Sequence, residues 1–267
     1  MKSGPPVSYD DESQFQFYQG VSRLNSRGLA LLFAGLVCAG ALPLGGAEAT
    51  AAASPAAAAA LGARIDLASA KRDGISNDAL SIALGAVRCA VASGDIDAPT
   101  TLTLIDYSKP STEPRLFVYD LATGKLLFRE LVAHGKNTGD NLATRFSDEM
   151  NSRQSSIGLF VAAEPYVGSN GYSLRLDGLE PGFNAHARER AIVMHGAPYV
   201  NTRFAAAQGR IGRSWGCPAL REAVAHQVID TIRGGGVIFS YYPDQAWLKS
   251  SRFLNCARTP SNVLATN

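Results

Sequence analysis

The sequence predicts a mainly β domain with peripheral helices (an α+β fold), arranged as a sandwich or a barrel. Three observations lead to this prediction. Short apolar segments follow one another from residue 101 onward, glycine-bearing turns separate them, and few segments carry helical spacing. The chain has 267 residues, of which 46% are apolar, so it is long enough for one good-sized domain or two small ones.

The first predicted element is a helix over Asn77–Ser93. Its apolar positions recur at the spacing of one helix face, and they are Leu80, Leu84, Val87 and Val91. Asn77 and Asp78 offer N-cap oxygens, and Gly94 provides a stop. This segment is therefore expected to pack one apolar face against the rest of the domain.

A run of strands follows this helix. Residues 101–106 form a short apolar strand, and Arg115–Asp120 and Lys125–Val132 flank a turn that ends in Gly124, which is typical of a β-hairpin. Further strands are predicted over Ile157–Ala163, Tyr172–Leu176, Ala191–His195 and Val237–Tyr242. A second helix, over Glu222–Ile232, is predicted between the last two strands and ends at Gly234–Gly236.

The N-terminus has the pattern of an export signal. Arg23 and Arg27 precede an uncharged apolar stretch over Gly28–Leu44, and Ala47-Glu48-Ala49 supplies small residues for cleavage. Residues 1–49 are expected to be a signal peptide or, if uncleaved, a membrane anchor. The protein is then expected in the periplasm or cell envelope, with the membrane contacted only through this segment.

Cysteine usage fits an oxidising compartment. Beyond Cys38, which lies in the apolar N-terminal stretch, the chain has Cys89, Cys217 and Cys256, and an odd number leaves one thiol free. Cys89 and Cys256 lie near the two ends of the predicted domain. They either form a disulfide bond or remain buried thiols, and the sequence leaves both interpretations open.

Composition argues against several classes of partner. The net charge is +2 with acids and bases interspersed, and no run rich in Lys and Arg is present, so no nucleic-acid partner is expected. The four histidines lack paired spacing, so no metal site is predicted and no cofactor is expected. His134, in the string VAHGKNTG, is interpreted either as a turn residue or as part of a substrate-lining loop.

Two segments carry chemically capable side chains next to glycine. They are Ile192-Val193-Met194-His195-Gly196 and Gly212-Arg213-Ser214-Trp215-Gly216-Cys217-Pro218-Ala219. A thiol is nucleophilic only as thiolate, and imidazole is its usual base. Cys217 and His195 are therefore candidates for a nucleophile and its general base, against the alternative of an inert core cysteine and a structural histidine.

The residues around Cys217 suggest how a thiolate would be stabilised. Pro218 suits the first turn of a helix, so the helix over Glu222–Ile232 is expected to begin directly after Cys217. The helix dipole would then favour the thiolate, and the N–H groups of Gly216 and Cys217 would be free to bind an oxyanion.

The spacing of these motifs resembles the L,D-transpeptidase catalytic domain (the YkuD-like fold), and more closely the murein L,D-transpeptidase catalytic domain family. His195-Gly196 is followed by the Ser-Trp-Gly-Cys-Pro-Ala block, in which Cys217 lies 22 positions after His195. Further strings that carry the resemblance are STEPRLFVYDL, GKLLF, QSSIGLF, GYSLRLDGLEPGFN, ARERAIVMHG, GRSWGCPAL and YYPD, which span about half the chain.

The resemblance implies roles for individual residues. Cys217 matches the nucleophile, His195 the general base, and Gly196 the residue whose carbonyl orients the imidazole. Ser214 and Gly216 match the flanks of the nucleophile block. Trp215 departs from the pattern, because the broader family has a second histidine there, and Ala219 replaces a basic residue of many relatives. Arg213 or Arg221 is considered as the substitute that would grip a substrate carboxylate.

The resemblance also implies an activity and a domain plan. The expected enzyme forms a Cys thioester at the third residue of a peptidoglycan stem peptide, releases D-Ala and makes a 3→3 cross-link. Water as acceptor would give an L,D-carboxypeptidase, a lipoprotein lysine would give an anchoring enzyme, and a catalytically silent wall-binding module is the alternative of another class. Residues 50–76 are expected to be an Ala-rich linker, 77–250 the catalytic domain with a β-sandwich or barrel, and 251–267 a C-terminal tail.

Overall fold

The computed structural model describes residues 55–256, and one eight-stranded sheet organises this part of the chain. The strands are β1 (Thr101–Asp106), β2 (Leu116–Asp120), β3 (Leu126–Glu130), β4 (Gly158–Gly168), β5 (Gly171–Gly178), β6 (Val193–Ala197), β7 (Ala219–Arg221) and β8 (Val237–Tyr241). Their order across the sheet is β3-β2-β1-β8-β4-β5-β6-β7.

Most neighbouring strands are antiparallel, and two pairs are parallel. The β2–β3 hairpin is antiparallel, with Leu116 opposite Glu130, which confirms the hairpin predicted from the sequence. The parallel pairs are β1–β8 and β6–β7, and in the second pair His195 lies opposite Ala219. This second pair sets the position of both candidate catalytic side chains.

The sheet nearly closes on itself. Val132, just after β3, forms an isolated bridge with Leu220 in β7, so the first and last strands of the sheet meet. Across the same seam, the Arg221 guanidinium donates to both carboxylate oxygens of Glu130 at 2.8 and 2.7 Å. The result is a barrel-like sheet with helices outside it, and the predicted mainly β fold with peripheral helices is confirmed.

Six helices occur in the described part of the chain. They are α1 (Pro55–Ala60), α2 (Leu67–Arg72), α3 (Asn77–Ala92), α4 (Thr202–Gln208), α5 (Glu222–Ile232) and α6 (Gln245–Ser250). Helix α3 begins at the N-cap Ser76, whose Oγ accepts from the Ala79 N–H, so Ser76 caps this helix rather than Asn77 or Asp78.

Alternation along the strands fills two apolar clusters. In β1, Leu102 and Leu104 pack with α3 on one face of the sheet, whereas Ile105 packs with α5 on the other. Every residue of β1 is therefore buried. A smaller third cluster contains Ala197 of β6, Ala219 of β7 and Ile211, and it lies beside the candidate site.

The segments that flank the predicted domain also fold onto it. Residues 55–76, expected to be linker, contain α1 and α2, and Ala58, Ile65 and Ala70 join the apolar cluster around α3. In the expected tail, Phe253 is buried in the same cluster. A disulfide bond joins Cys89 of α3 to Cys256, with 5.8 Å between their Cα atoms. Residues 55–76 and 251–256 thus pack against the predicted catalytic domain.

One prediction about the nucleophile block is wrong. Helix α5 begins at Glu222, not directly after Cys217, because residues 219–221 form strand β7 first. Pro218 therefore does not open a helix, and residues 218–221 separate Cys217 from the first residue of α5. The predicted signal or anchor segment, residues 1–49, lies outside the described residues; within 55–256, none of the helices has the length and apolar character needed to cross a bilayer.

Candidate active site

Strand pairing places Cys217 against strand β6, which carries His195. Because His195 lies opposite Ala219 in the parallel pair, Cys217 is placed beside the start of β6. The Cys217 thiol donates to the Ala191 carbonyl at 3.6 Å and its sulfur accepts from the Val193 N–H at 3.5 Å. Val193 and His195 share one face of β6, about 7 Å apart along the strand. The register thus puts Cys217 level with Val193, two residues before His195, although 22 positions separate Cys217 and His195 along the chain.

The His195 imidazole is held in one tautomer. Its Nδ1 lies 2.9 Å from the Gly196 carbonyl, which can only accept, so Nδ1 carries the proton and Nε2 keeps its lone pair. Burial lowers the pKa of His195, partly offset by the bond to Gly196. Near neutral pH the His195 ring is thus a neutral base. Its orientation is fixed by the Gly196 carbonyl, which is the role that the resemblance implied for Gly196.

Cys217 is a buried free thiol in this structure. It is the cysteine outside the disulfide among residues 55–256, and it is 9% exposed. Burial raises the pKa of the thiol, while the Val193 N–H and the Arg190 guanidinium act in the opposite direction. No direct hydrogen bond joins its sulfur to the His195 ring, since the thiol contacts Ala191 and Val193 instead. The pair therefore consists of a neutral thiol and a neutral imidazole.

Ala191 adopts a backbone conformation that its residue type disfavours. Its φ is +53°, in the left-handed region that side chains other than glycine rarely adopt. Its carbonyl is the acceptor for the Cys217 thiol. Strained residues cluster at functional sites when the surrounding fold fixes them, so this position is part of the site and was not identified from the sequence.

Residues 214–217 form a tight turn, the nucleophile turn, which Ser214 stabilises. Its hydroxyl donates to the Cys217 carbonyl at 2.6 Å and accepts from the Gly216 N–H at 3.1 Å. Gly216 has φ +131°, and a Cβ there would lie 2.7 Å from Ile192 Cδ1 and 2.8 Å from the Gln154 carbonyl oxygen. Glycine is therefore required, but its N–H is already engaged, so the oxyanion role predicted for Gly216 is not supported.

A second layer fixes this turn to the loop after β3. Ser155 Oγ donates to the Gly216 carbonyl at 2.9 Å and accepts from the Gly135 N–H at 3.0 Å. The Ser155 N–H in turn donates to Thr138 Oγ1 at 2.8 Å. These contacts connect residues 135–155 to the nucleophile turn and restrict where Cys217 can move.

A buried Arg–His pair supports the same loop. Arg115 is fully buried, and its Nη2 donates to His134 Nδ1 at 2.8 Å, while His134 Nε2 donates to the Gly139 carbonyl at 3.2 Å. Burial, then the nearby charge of Arg115, lowers the pKa of His134 to about 3. Desolvation also lowers the pKa of Arg115 to about 10. His134 is thus a buried structural residue, closer to its interpretation as a turn residue than as a substrate contact.

The two arginines considered for carboxylate binding are engaged elsewhere. Arg213 Nη1 donates to the carbonyls of Lys136 and Gly139 and pairs with Asp140 at 2.9 Å. Arg221 forms the bidentate pair with Glu130 at the barrel seam. Both side chains therefore stabilise the framework around Cys217, and the substrate-binding role predicted for Arg213 is not supported by its contacts.

Trp215 faces an arginine that the sequence analysis did not single out. The Arg153 guanidinium carbon lies 4.6 Å from the centroid of the Trp215 ring. Arg153 is 62 positions from Trp215, and no local sequence pattern relates the two. As for metals, no group of three or more His, Cys, Asp or Glu side chains within residues 55–256 is arranged to hold an ion.

Fold and site together define a class: a nearly closed β sheet in which a free cysteine contacts strand β6 and a tautomer-fixed histidine lies within that strand. The family model of the L,D-transpeptidase catalytic domain matches residues 71–241, more than half of the chain. This chain therefore belongs to the L,D-transpeptidase catalytic domain family. The match begins in α2, which agrees with the packing of residues 71–76 onto the domain.

Solved structures give more distant likenesses. An L,D-transpeptidase from Mycobacterium smegmatis is 15% identical, with 54% of this chain and 59% of that chain covered and a TM-score of 0.35. L,D-transpeptidase 1 from Mycobacterium tuberculosis is 16% identical, with 54% and 62% covered and a TM-score of 0.30.

A third likeness is the helical cell shape determining protein Pgp2 from Campylobacter jejuni, at 15% identity, 54% and 48% coverage and a TM-score of 0.35. This chain thus covers less than two thirds of the length of these proteins. No curated protein matches the chain.

Proposed function

We propose that this protein is an exported cysteine acyltransferase that acts on peptidoglycan stem peptides, with Cys217 as nucleophile and His195 as general base. The observation that supports it best is the hydrogen bond from His195 Nδ1 to the Gly196 carbonyl, in the same strand whose Val193 N–H contacts the Cys217 sulfur. An imidazole held this way presents its basic Nε2 to one fixed direction. The activity of the matching family supports the choice of acyl transfer.

The first half-reaction breaks the bond between the third stem residue and D-Ala. Cys217 Sγ attacks the carbonyl carbon as His195 Nε2 takes the thiol proton, because a neutral pair must move the proton during attack. The Cys217 N–H, which makes no hydrogen bond to another described residue, donates to the developing oxyanion. Collapse breaks the C–N bond, the imidazolium returns its proton to the leaving amine, and a thioester remains on Cys217.

The second half-reaction transfers the acyl group. An amine of a neighbouring stem attacks the thioester carbon, His195 accepts the amine proton, and the Cys217 thiol is regenerated as the C–S bond breaks. The product is a 3→3 cross-link. Water as acceptor would give a shortened tripeptide, and a lipoprotein lysine would give an anchored protein.

The test is incubation of the full chain with a disaccharide-tetrapeptide, followed by mass analysis. We expect cross-linked dimers with loss of D-Ala. Cys217→Ala should abolish product, and His195→Gln should lower the rate by about 10²- to 10⁴-fold, the usual contribution of a general base. His226→Gln is the matched control, because His226 is an exposed residue of α5 that pairs with Asp230.

A catalytically silent wall-binding module is the second candidate. The observation that favours it is the buried thiol, 9% exposed and without a hydrogen bond to the imidazole. Binding of purified peptidoglycan with no product from either half-reaction would support this candidate. A mass adduct of a carbapenem on Cys217 would exclude it, since the adduct requires a reactive thiol.

Export is part of the proposal. A disulfide between Cys89 and Cys256 is a feature of proteins from oxidising compartments, and peptidoglycan lies outside the cytoplasm. The apolar segment 28–44 would direct the chain there and would be its membrane contact. A fused reporter enzyme that is active only after export should become active, and removal of residues 28–44 should silence it.

A further inference from the structure

Arg153 differs from the other arginines around the nucleophile turn. Arg190, Arg213 and Arg221 each donate to several oxygen atoms of neighbouring residues. Arg190 is 3% exposed in its side chain and is enclosed by the loop over residues 147–156. Each of those three guanidinium groups therefore already has polar partners within the fold. The Arg153 guanidinium makes no hydrogen bond or ion pair with any residue between 55 and 256, and its contact is the face of Trp215.

The position of Arg153 is fixed by its backbone. Its φ is +54°, a left-handed conformation, and its carbonyl accepts from the Asn137 N–H at 3.1 Å. The next residue, Gln154, packs its carbonyl directly against Gly216 in the nucleophile turn. The chain around Arg153 therefore lies against the turn that carries Cys217, and the half-buried side chain crosses it onto Trp215.

A guanidinium that lies over an aromatic face keeps its N–H donors free at the edge. The ring attracts the cation and limits its rotation, so the planar pair of donors is pre-organised for a carboxylate. Trp215 precedes Cys217 by two residues, which places the two Cα atoms no more than about 7 Å apart. An anion bound to Arg153 would therefore lie close to the carbonyl that Cys217 attacks.

We propose that Arg153, seated on Trp215, binds the terminal carboxylate of the D-alanine that leaves in the first half-reaction. The inference rests on the proposed function, since that reaction defines the leaving residue. The carboxylate of this residue is only a few bonds from the scissile carbonyl. Of the anionic groups on a stem peptide, it best matches a cation seated on Trp215, two positions before the nucleophile. Trp215 stands where the broader family has a histidine, so here an aromatic face positions a remote arginine.

Binding to the Cys217→Ala protein tests this without turnover. Calorimetry compares a disaccharide-tetrapeptide that ends in free D-Ala with the same compound as its C-terminal amide. We expect the acid to bind about 10- to 100-fold more tightly, as for a hydrogen-bonded charged pair. Adding Arg153→Gln should reduce this ratio to near one and leave the affinity for the amide unchanged.

Two further variants separate the site from a general effect on folding. Trp215→Phe keeps an aromatic face and should keep most of the acid preference, whereas Trp215→Ala should lose it. Arg64→Gln removes an exposed arginine near α2, outside the site, and should leave the ratio unchanged. The inference is overturned by a ratio near one with Arg153 intact, by equal weakening of both peptides in Arg153→Gln, or by no binding of either peptide.

The outcome is distinguishable from failure of the proposed function. That function fails if the protein with Cys217 intact gives neither thioester nor product from the tetrapeptide. Preferential binding of the acid through Arg153 would still hold in that case, and it would describe a peptide-binding module. Conversely, turnover that is equal for acid and amide would keep the acyltransferase and remove the carboxylate site.

Discussion

Cys217 should be a slow thiol in the resting protein. Burial raises its pKa, and its S–H donates to the Ala191 carbonyl, which would repel a thiolate. A raised pKa leaves the thiol protonated below its folded value, so alkylation should keep rising with pH through 9. The rate of iodoacetamide labelling, followed by mass spectrometry between pH 6 and 10, checks this prediction.

The comparison for this labelling is the chain unfolded in urea, in which the thiol has its ordinary pKa of about 8.5. The native protein should react more slowly than this control at every pH below 9. Rapid labelling with a plateau near pH 6 would instead indicate a preformed thiolate–imidazolium pair, and the neutral-pair mechanism would be rejected.

His134 should make stability depend on pH. Its pKa is lowered to about 3 in the folded state and is about 6.5 in the unfolded chain. As pH falls through 6.5 the unfolded chain takes up a proton that the folded protein refuses, so stability present above 6.5 is lost toward pH 3. The slope from this residue approaches about 1.4 kcal/mol per pH unit.

His134→Asn isolates that contribution. The amide oxygen can still accept from Arg115, so at pH 7 the variant should lose only about 1 kcal/mol, for the missing bond to Gly139. Because asparagine does not titrate, its free energy of unfolding in urea should fall less than that of the parent between pH 6.5 and 4. If the free energies of unfolding of the two proteins change with pH in parallel, the pKa of His134 is the same in the folded and unfolded states, and the prediction is wrong.

At the level of residues, the sequence was informative where chemistry is local. The glycine beside His195 and the block around Cys217 indicated a nucleophile and a base. Arg153 was not found, since its partner Trp215 lies on a distant part of the chain. The sequence also does not show that Arg213 donates hydrogen bonds to loop carbonyls. Those bonds depend on the conformation that residues 136–140 adopt next to Arg213.

Among the elements, periodicity located the helices and strands better than their ends. The apolar spacing of Glu222–Ile232 gave the bounds of α5 that the structure has. It did not show that residues 219–221 would pair first with β6 and with the chain after β3. Proline at position 218 is compatible with either continuation, because each leaves its missing N–H without consequence. Residues 219–221 form a strand rather than the start of a helix because of their long-range pairing, not because of local preference.

The seam between β3 and β7 should be weakly but measurably stabilised by its ion pair. The side chains of Arg221 and Glu130 are 38% and 11% exposed, so solvent screens part of the attraction. A double-mutant cycle with Glu130→Gln and Arg221→Gln should give a coupling of about 1 kcal/mol in urea unfolding. The exposed pair of Arg72 and Asp66 is the matched control and should give a smaller coupling, because solvent screens both groups.

The same seam should matter more for activity than for stability. Strand β7 directly follows the nucleophile turn, so loosening its contact with β3 displaces Cys217 relative to His195. Misplacement of about 1 Å can lower a rate by about 10²-fold. We expect kcat of Glu130→Gln to fall at least 10-fold while its melting temperature changes by only a few degrees. An unchanged kcat would show that the site does not depend on closure of the barrel.

At the scale of the whole molecule, the number of short strands and turns in the sequence predicted the mainly β class. The sequence did not predict that residues 55–76 pack against the domain. Residues 55–76 are rich in alanine, which lacks a long apolar side chain and therefore gave no strong periodic signal. The structure nevertheless buries Ala58, Ile65 and Ala70 against α3. Burial of small residues depends on a partner surface, here the face of α3, that composition alone does not reveal.

The disulfide should stabilise the entire domain rather than one corner of it. Cys89 and Cys256 are 167 positions apart, so the bond encloses most of the described chain. Closing so long a loop restricts the unfolded ensemble by about 5 kcal/mol in the chain-entropy estimate, and measured effects are commonly about 2–4 kcal/mol. The double variant Cys89→Ser/Cys256→Ser should therefore lose about 2–5 kcal/mol of unfolding free energy in urea without reductant.

Cys217→Ser is the control for this prediction, because it leaves the bond intact, and its free energy of unfolding should stay within about 1 kcal/mol of the parent. Dithiothreitol should lower the stability of the parent and of Cys217→Ser, but not of the double variant. If the double variant unfolds at the same urea concentration as the parent, the packing of α3 and residues 251–256 alone secures the two ends of the domain.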